Sequence, residues 1–276
     1  MARVSEFDLI EQFFAPLARH HGELVLTGIG DDCAVISPPN GSSLCFSIDT
    51  MVEGVHFPKN APPFELAYRA LAAALSDLAA MGAKPSFFTL ALTMPEADSA
   101  WLERFSSGLK VLVDQYQFPL LGGDTTRGPL TISIQVHGFL SKPALLRSGA
   151  QVGDILAVSG TLGDAGAALE LLPFVHSSEK IFSSDEQFLL SRYYRPSPRI
   201  ELGQLLLECA SSCIDISDGL LAEAEHISKK SSVGISIDTS LIPLSSQLVS
   251  FKGLDESKSL ALTSGDDYEL LFTISK

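Results

Sequence analysis

Aspartates that follow apolar runs or stand beside glycines are the residues of this sequence best suited to chemistry. They recur along the chain, each in its own short motif, at Asp31, Asp32, Asp49, Asp77, Asp124, Asp215 and Asp218. In α/β folds, ligand sites assemble where strands end and helices begin. A single aspartate at such a place also has a structural explanation, as a helix cap or a turn residue. The recurrence therefore indicates a carboxylate-rich site more strongly than any one residue does.

Asp77 differs from the others because its surroundings, LSDLAAMGA, are apolar and helical. A buried carboxylate is unfavourable unless a base or a metal ion accompanies it. An ion pair with Arg69 is the simplest alternative, but eight residues of helix separate the two by about 12 Å. We therefore favour a cation. Oxygen ligands without histidine or cysteine favour Mg²⁺ over Zn²⁺, and converging carboxylates would repel one another without such ions.

Two glycine-containing segments, GGDTTRG at 122–128 and GTLGD at 160–164, resemble backbone that contacts phosphate groups. Arg127 lies in the first segment, and Arg147 lies in a separate loop. Because Mg²⁺ commonly shares its ligand shell with phosphates, the combination indicates phosphoryl transfer. The sequence contains neither a GxxxxGK[ST] motif nor the HRD and DFG motifs, which excludes P-loop enzymes and protein kinases. A tight turn that caps a strand is an equally good explanation of GGDTTRG.

Composition narrows the choice of partners. The 276 residues include 19 Lys and Arg against 33 Asp and Glu, a net charge of −14, which excludes a nucleic-acid surface that works by counterion release. Hydrophobic residues make up 46% of the chain, too many for a disordered acidic protein.

We expect Cys209 and Cys213 to be buried, reduced thiols. No uncharged stretch is long enough to span a membrane. Near the N-terminus, acidic residues stand where a secretory signal would have its apolar region, so we expect a cytoplasmic protein.

Hydrophobic periodicity predicts that strands and helices alternate along the first half of the chain. The predicted elements are a helix at 5–20, a strand at 44–48 that ends at Asp49, a helix at 64–81, a strand at 87–94, a helix at 99–116 capped by Asp98, and a strand at 130–140. A segment rich in Pro, Gly and Ser at 141–153 then interrupts the pattern. We place a domain boundary near residue 145, which gives domains 1–145 and 146–276.

The second half begins with a strand, a glycine turn and a helix from Asp154 onward. Further helices are predicted at 185–194 and 200–210 and from Asp218, which would cap its helix, and strands at 213–216, 233–237 and 268–274. The interleaved elements predict an α/β or α+β class with two domains. Because the sequence stops at Lys276, at the end of a predicted core strand, we expect that further residues were lost or that this sequence is a shortened form.

An ordered series of motifs runs through nearly the whole chain: GIGDDCAV, SIDTMVEGVHF, ALSDLAAMGAKP, GGDTTRGP, LRSGA with GD, SGTLGDAGAAL, RPSPRI, DISDGL and SGDDYELLFT. In this order they resemble the thiamine-monophosphate kinase family, within the aminoimidazole ribonucleotide synthetase-like superfamily. The resemblance implies an N-terminal domain whose mixed sheet pairs with its copy in a homodimer, followed by a larger C-terminal α/β domain. It also implies direct transfer of the γ-phosphoryl group of ATP to thiamine monophosphate, with several Mg²⁺ ions and no phosphoenzyme.

The resemblance also implies roles for individual residues, carried over by motif position. The implied magnesium ligands are Asp32, Ser47, the Ile48 backbone, Asp49, Asp77, Asp124, Asp215 and Asp218, of which Asp124, Asp215 and Asp218 are also the catalytic carboxylates. The implied ATP contacts are Gly123, Asp124, Arg147 and Ser217, and the implied contacts with thiamine monophosphate are His56 and Asp266. Asp31 would orient its loop. We assign His56 to positioning, because a phosphate acceptor is already anionic near neutral pH and needs no general base.

Two features depart from the family pattern. This chain has GDDYEL where the family has GEDYEL, so Asp266 replaces a substrate-binding glutamate and reaches one methylene less far. Relatives also continue to an aromatic residue that stacks on the substrate, beyond the position of Lys276.

Two alternatives remain open at this stage. The first is a sister ATP-using enzyme of the same superfamily, such as a ribonucleotide cyclo-ligase, a selenophosphate synthetase or a carbamoyl-dehydrating maturation factor. However, no cysteine precedes Cys33 and none follows Cys213, so the reactive cysteines of the last two have no counterpart. The second alternative is a non-catalytic dimer that binds divalent ions or thiamine phosphates.

Overall fold

The computed structural model describes residues 9–18, 24–29, 33–177 and 180–276. They divide into two compact units. The first comprises the described residues of Met1–Leu78 together with Lys84–Lys142, and the second comprises Ala79–Ala83 and Pro143–Lys276. Both units combine helices with a sheet, so the predicted mixed α/β class is confirmed. Within the part of the chain that the structure describes, no helix has the length and hydropathy to cross a membrane.

The predicted N-terminal helix is described only over residues 9–18. There the chain forms a π-helical turn, Ile10–Phe14, and a 3-10 turn, Ala15–Ala18, instead of a regular α-helix. Pro16 explains the change, because it has no N–H for an α-helical hydrogen bond and restricts the residue before it. A short antiparallel pair follows, β1 (Val25–Thr27) with β2 (Val35–Ile36).

A four-stranded mixed sheet and two long helices form most of the first unit. Its elements are β3 (Ser43–Val52), α1 (Pro63–Ala80), β4 (Lys84–Met94), α2 (Ser99–Tyr116), β5 (Leu120–Arg127) and β6 (Thr131–Leu140). The strand order is β3-β6-β4-β5, with β4 and β5 parallel and the other pairs antiparallel. The sheet therefore has β3 as one edge and β5 as the other.

The two helices approach each other closely at Gly108, which has no side chain. Gly108 of α2 lies so near α1 that a Cβ there would be 2.2 Å from Phe64 O. Leu71, Leu75 and Leu78 of α1 are fully buried. The Asp98 carboxylate accepts hydrogen bonds from Ala100 N and Trp101 N, which confirms it as the cap of α2. This packing fixes α1, and with it Asp77, beside the sheet.

Two predictions about the first unit are wrong. Strand β3 does not end at Asp49 but continues to Val52, because β6 pairs with it in register as far as Thr131. The segment GGDTTRG is neither a loop nor a turn, since residues 122–127 lie in strand β5. Gly123 permits the pairing of β5 with β4, because a Cβ at this position would lie 1.8 Å from Leu90 O of β4.

The second unit contains a three-stranded antiparallel sheet, six α-helices and a 3-10 turn, Leu172–Phe174, among its described residues. Its elements are β7 (Ile155–Val158), α3 (Asp164–Ala168), α4 (Ser184–Tyr194), α5 (Ile200–Leu206), β8 (Ala210–Asp215), α6 (Leu220–Ser231), α7 (Ser246–Lys252), α8 (Leu254–Thr263) and β9 (Leu270–Ile274). The strand order is β7-β9-β8, and β9 is antiparallel to both neighbours. The last residues of β7 and β8 and the first residues of β9 therefore lie side by side, at the same end of the three strands.

Several predictions about the second unit also need correction. Residues 233–237 form no strand, although Val233, Ile235 and Ile237 do pack on the core. Helix α5 ends at Leu206, four residues before the predicted end at 210. Helices α7 and α8 lay outside the predictions; the first is capped by Ser245, whose hydroxyl accepts from Leu248 N.

The roles expected for Asp218 and Cys209 also differ from the structure. Asp218 does not cap α6, because Gly219 occupies the cap position and no side chain bonds there. Cys213 is buried as predicted, but Cys209 is exposed; both are free thiols. Cys209 follows the end of α5 instead of lying inside a helix, which explains its exposure.

Candidate functional site

Strand β3 brings three polar side chains of the first unit to one face. Side chains alternate along a strand, and Cys45, Ser47 and Asp49 are half-buried while their neighbours Phe46 and Ile48 are exposed. Only the backbone of Ile48 could therefore join ligands on the face of Ser47. Between this strand and helix α1, Ser47 Oγ donates to Asp77 Oδ2 at 2.5 Å. Two residues from separate motifs thus meet, as the predicted ligand set requires.

The electrostatics of this group suit a cation. Burial, and then the charge of Asp77, raises the pKa of Asp49 to about 6. The same two causes raise the pKa of the Cys45 thiol. Two carboxylates that destabilise each other's charge, together with a hydroxyl, form an oxygen donor set of the kind Mg²⁺ prefers. The residues present in this unit therefore fit magnesium.

Asp124 is exposed on strand β5, where it lies in register with Ala91 of β4. Asp49 lies in register with Ile134 of β6, which in turn pairs with Leu90. Leu90 and Ala91 are adjacent in β4, so their side chains point to opposite faces of the sheet. The side chains of Asp49 and Asp124, which are in register with these two residues, therefore also point to opposite faces.

The structure does not gather the predicted aspartates into one metal cluster. Across residues 9–18, 24–29, 33–177 and 180–276, no three His, Cys, Asp or Glu side chains are close enough to hold a metal ion. Asp31 and Asp32 lie outside the described residues. The complete ligand set stays a prediction.

His56 lies in the short loop that follows β3. The loop is tight, with Gly54 N bonded to Phe57 O at 2.8 Å and His56 N bonded to Val52 O at 3.0 Å. The ring is fixed as well, since Val52 N–H donates to Nδ1 at 3.0 Å. A neutral imidazole that accepts at Nδ1 carries its proton on Nε2. His56 therefore presents a donor at Nε2, which suits an anionic group.

Asp215, Ser217 and Asp218 lie at the end of β8 in the second unit. Asp215 is buried and Asp218 is exposed. Glu223 of α6, itself 3% exposed, accepts from Asp218 N at 3.2 Å. Burial, and then the charge of Asp215, raises the pKa of Cys213 to about 12, so this thiol stays protonated at neutral pH.

Asp266 lies directly beside this segment. Asp266 N bonds to Ser217 O and Tyr268 N bonds to Ile216 O, each at 2.9 Å. Gly265 allows the close approach, because a Cβ there would be 1.9 Å from Ser217 O. Asp266 and Tyr268 both have positive φ, 68° and 50°, which is uncommon for residues other than glycine. Two motifs about fifty residues apart thus form one edge of the site.

A buried ion network behind this edge was missed by the sequence reasoning. Glu269, 1% exposed, is bonded by Arg199 at 2.6 and 2.7 Å and by Arg192 at 2.9 Å. Ser159 Oγ donates to the same carboxylate at 2.6 Å. The sequence did contain a signal for this network: Glu269 directly precedes the apolar strand LLFTI, and a carboxylate buried there would need positively charged partners.

Asp267 ties the network to the glycine segment at 160–164. Its Oδ2 accepts from Gly163 N at 2.8 Å, and its Oδ1 is buried without a hydrogen-bond partner. Burial raises the pKa of Asp267 to about 7, against the lowering effects of the Gly163 hydrogen bond and of Arg192. The charge of Asp267 therefore changes near neutral pH.

Arg147, the remaining predicted ATP contact, is exposed in the loop that precedes β7. The residue before it is fixed, because Cys213 N donates to Leu146 O at 2.9 Å. The loop therefore runs along the end of β8 and joins the second group of predicted site residues.

Comparison with known proteins connects these residues to a family. The family model described as AIR synthase related protein, N-terminal domain, matches residues 30–140. Thiamine-monophosphate kinase of Escherichia coli (strain K12) is 46% identical over 270 residues, which are 98% of this chain and 82% of that protein.

Two solved structures are similar over nearly the whole chain. Thiamine-monophosphate kinase from Stenotrophomonas maltophilia K279a has a TM-score of 0.90 and 42% identity, and the match covers 99% of this chain and 86% of that one. AaThiL complexed with AMPPCP and TMP has a TM-score of 0.81 and 33% identity, with coverage of 99% and 86%. The family expected from the motif order is confirmed, and the chain belongs to the thiamine-monophosphate kinase family.

Proposed function

We propose that this protein transfers the γ-phosphoryl group of ATP to thiamine monophosphate, giving thiamine diphosphate and ADP. The observation that carries the proposal is 46% identity over 98% of the chain to a thiamine-monophosphate kinase. A relative of the same fold, 33% identical, has been solved with AMPPCP and TMP bound. The order of motifs along this chain and the arrangement of their residues within each unit support the same activity.

Mg²⁺ is the metal that the site would use. Ser47, Asp49 and Asp77 would hold it in the first unit, since Ser47 Oγ already bonds to Asp77 Oδ2 and the charge of Asp77 raises the pKa of Asp49. The remaining predicted ligands are Asp32, the Ile48 backbone, Asp215 and Asp218, together with Asp124, which lies on the opposite face of the sheet from Asp49 and would therefore bind a different ion. When bound, the ions would neutralise the phosphate charge of a nucleotide that a chain of net charge −14 would otherwise repel.

The transfer itself needs little from the protein beyond positioning. A phosphate oxygen of thiamine monophosphate forms a bond to the γ-phosphorus as the bond from that phosphorus to the bridging oxygen of ADP breaks. The acceptor oxygen is already anionic near neutral pH, so no side chain has to remove a proton. His56, whose Nδ1 accepts from Val52 N, would donate from Nε2 to the acceptor phosphate.

Nucleotide and substrate contacts would come from both halves of the chain. Gly123, Arg147 and Ser217 would contact ATP. Asp266 would contact thiamine monophosphate in place of the family's glutamate. The carboxylate of Asp266 is shorter by one methylene, but its backbone is held to Ser217 at 2.9 Å.

We further propose that the protein is a homodimer joined through the sheet of its first unit. Leu44, Phe46 and Ile48 project from the edge strand β3 and are 48%, 61% and 61% exposed. An apolar row of this kind on a sheet face is typical of a protein interface. We place the protein in the cytoplasm because its proposed phosphoryl donor is ATP.

An acceptor panel with radiolabelled ATP tests the proposed function. The purified protein, with Mg²⁺, is offered thiamine monophosphate, thiamine, a ribonucleotide amidine, selenide and a carbamoylated peptide. We expect label transfer to thiamine monophosphate alone. Label transferred to selenide, or labelled phosphate released only when the amidine or the peptide is present, would assign the protein to a sister activity. Nucleotide binding with neither label transfer nor phosphate release would indicate the non-catalytic alternative.

A further inference from the structure

One hydroxyl from a remote part of the sequence holds the loop that carries Arg147. Ser231, the last residue of α6, accepts hydrogen bonds at Oγ from Gly149 N and Ala150 N, each at 3.1 Å. The same hydroxyl donates to Arg147 O at 3.2 Å. A serine hydroxyl has one proton to donate and two lone pairs to accept with, so these three bonds use its full capacity.

The other side of this loop lies against β8. Gly149 has a φ of 125°, in the region that favours glycine, and a Cβ there would lie 2.2 Å from Ser211 O. Cys213 N also bonds to Leu146 O, as described above. Arg147 thus lies between one anchor on β8 and another on Ser231, while its own side chain is exposed.

Helix α6 links this anchor to the other predicted nucleotide residues. In its first turn, Glu223 accepts from Asp218 N at 3.2 Å. At its last residue, Ser231 binds the Arg147 loop. The helix has 12 residues and is therefore about 18 Å long. A single rigid element consequently sets the separation between the Ser217–Asp218 segment and the Arg147 loop.

We propose that Ser231 is a positioning residue for nucleotide binding, which fixes the Arg147 loop so that the guanidinium meets the ATP phosphates. The inference rests on the proposed role of Arg147 as an ATP contact. In this proposal Ser231 acts through the loop and not by contact with ATP. Without its hydroxyl, three backbone groups of the loop lose their partner, and ordering the loop on nucleotide binding then costs conformational entropy.

Binding of a non-hydrolysable ATP analogue with Mg²⁺, measured by calorimetry, tests the proposal. In Ser231→Ala we expect affinity to fall about threefold to tenfold, the effect of losing roughly one net hydrogen bond. Ser231→Thr keeps the hydroxyl and should bind nearly as well as the wild type. The matched control is Ser228→Ala, one turn earlier, whose hydroxyl donates to Val233 O at 2.6 Å and not to the loop. Arg147→Ala removes the proposed phosphate contact itself and should also bind the analogue more weakly than the wild type.

Two further readouts separate positioning from general destabilisation. Steady-state kinetics of Ser231→Ala should show a raised KM for ATP, with kcat and the KM for thiamine monophosphate nearly unchanged. Amide hydrogen exchange should become faster at Gly149 and Ala150 in this variant but not in Ser228→Ala. Both alanine variants should unfold at similar temperatures.

Three results would overturn the proposal: wild-type affinity in Ser231→Ala, an equal loss in Ser228→Ala, or wild-type affinity in Arg147→Ala. A wild-type protein that binds the analogue but phosphorylates no thiamine monophosphate would refute the proposed function alone, and the binding data would still decide the role of Ser231. A wild-type protein that binds no analogue would refute both.

Discussion

At the scale of single residues, the fold treats the predicted carboxylates in different ways. Asp49 lies beside Asp77 and has a raised pKa, Asp215 is buried at a strand end, and Asp124 is exposed. An exposed carboxylate contributes little to the stability of the fold. Its replacement therefore separates a functional role from a structural one most cleanly.

Asp124→Asn should lower kcat by about 10²-fold or more while leaving the unfolding temperature unchanged, because it removes a negative charge from the proposed metal site without changing volume. Steady-state turnover and thermal unfolding measure the two effects. Asp255→Asn, at an exposed position on α8, is the control and should be fully active. Normal turnover in Asp124→Asn would remove this residue from the site.

His56→Ala should raise the KM for thiamine monophosphate more than it lowers kcat, since His56 is assigned to positioning. Its Nδ1 accepts from Val52 N, so the ring is a donor and not a base. His56→Gln should recover part of the loss because its amide can still donate. Kinetics of both variants over a range of pH check this; a large fall in kcat at unchanged KM would mean that His56 takes part in the chemistry.

At this scale, the sequence identified residues through motifs but could not show their partners. The contact between Ser47 and Asp77 joins residues thirty positions apart, and it follows from the packing of α1 on the sheet. The bonds from Arg192 and Arg199 to Glu269 span still longer separations. Nothing local in the sequence specifies such pairs.

At the scale of elements, glycine decides whether β5 can pair with β4. Gly123→Ala should lower the free energy of unfolding by about 2 kcal/mol or more, because its Cβ would lie 1.8 Å from Leu90 O. Gly122→Ala is a matched control, since a Cβ there meets nothing within 4 Å. Denaturant unfolding compares the two. Equal stability would contradict the described strand pairing.

The segment around Asp267 predicts a pH dependence of stability. Its folded-state pKa, about 7, lies above the ordinary value of 3.8, so folding favours the protonated carboxyl. This stabilisation is complete below the ordinary value and is lost as pH rises through about 7. Asp267→Asn should therefore gain stability relative to the wild type from pH 5 to pH 8. Unfolding curves at several pH values measure this difference, and one that stays constant with pH would refute the assignment.

How well an element could be predicted depended on whether its signals are local. Helix α2 was predicted at its observed bounds, because apolar periodicity and the Asp98 cap both lie within it. Strand β5 was missed because glycines weaken a strand pattern and its pairing with β4 is non-local. Residues 233–237 alternate like a strand, but no neighbouring strand pairs with them in the described second unit.

At the scale of the whole molecule, the exposed row on β3 predicts an assembly. The chain has a mass of 29.5 kDa, and we expect twice this mass in solution. Phe46→Glu should give a monomer, because a charge would be buried in the apolar interface. Leu241→Glu, at a position 78% exposed in the second unit, is the control. Sedimentation equilibrium measures the mass of each variant in solution. A Phe46→Glu protein that is still dimeric would place the interface elsewhere.

Family membership and the mixed α/β class were both predictable from the sequence, since each depends on the order of many motifs or elements. The assembly was implied only by resemblance, and the exposure of Phe46 and Ile48 now gives it a physical basis. The convergence of aspartates from both halves of the chain remains a prediction, because it depends on contacts that no sequence pattern specifies.

Product analysis by phosphorus NMR tests the central claim most directly. Purified protein is incubated with ATP, thiamine monophosphate and Mg²⁺, and a parallel sample contains a chelator. The account predicts thiamine diphosphate and ADP in equal amounts in the first sample and neither in the second. ATP that stays intact, or ADP formed without thiamine diphosphate, would contradict it.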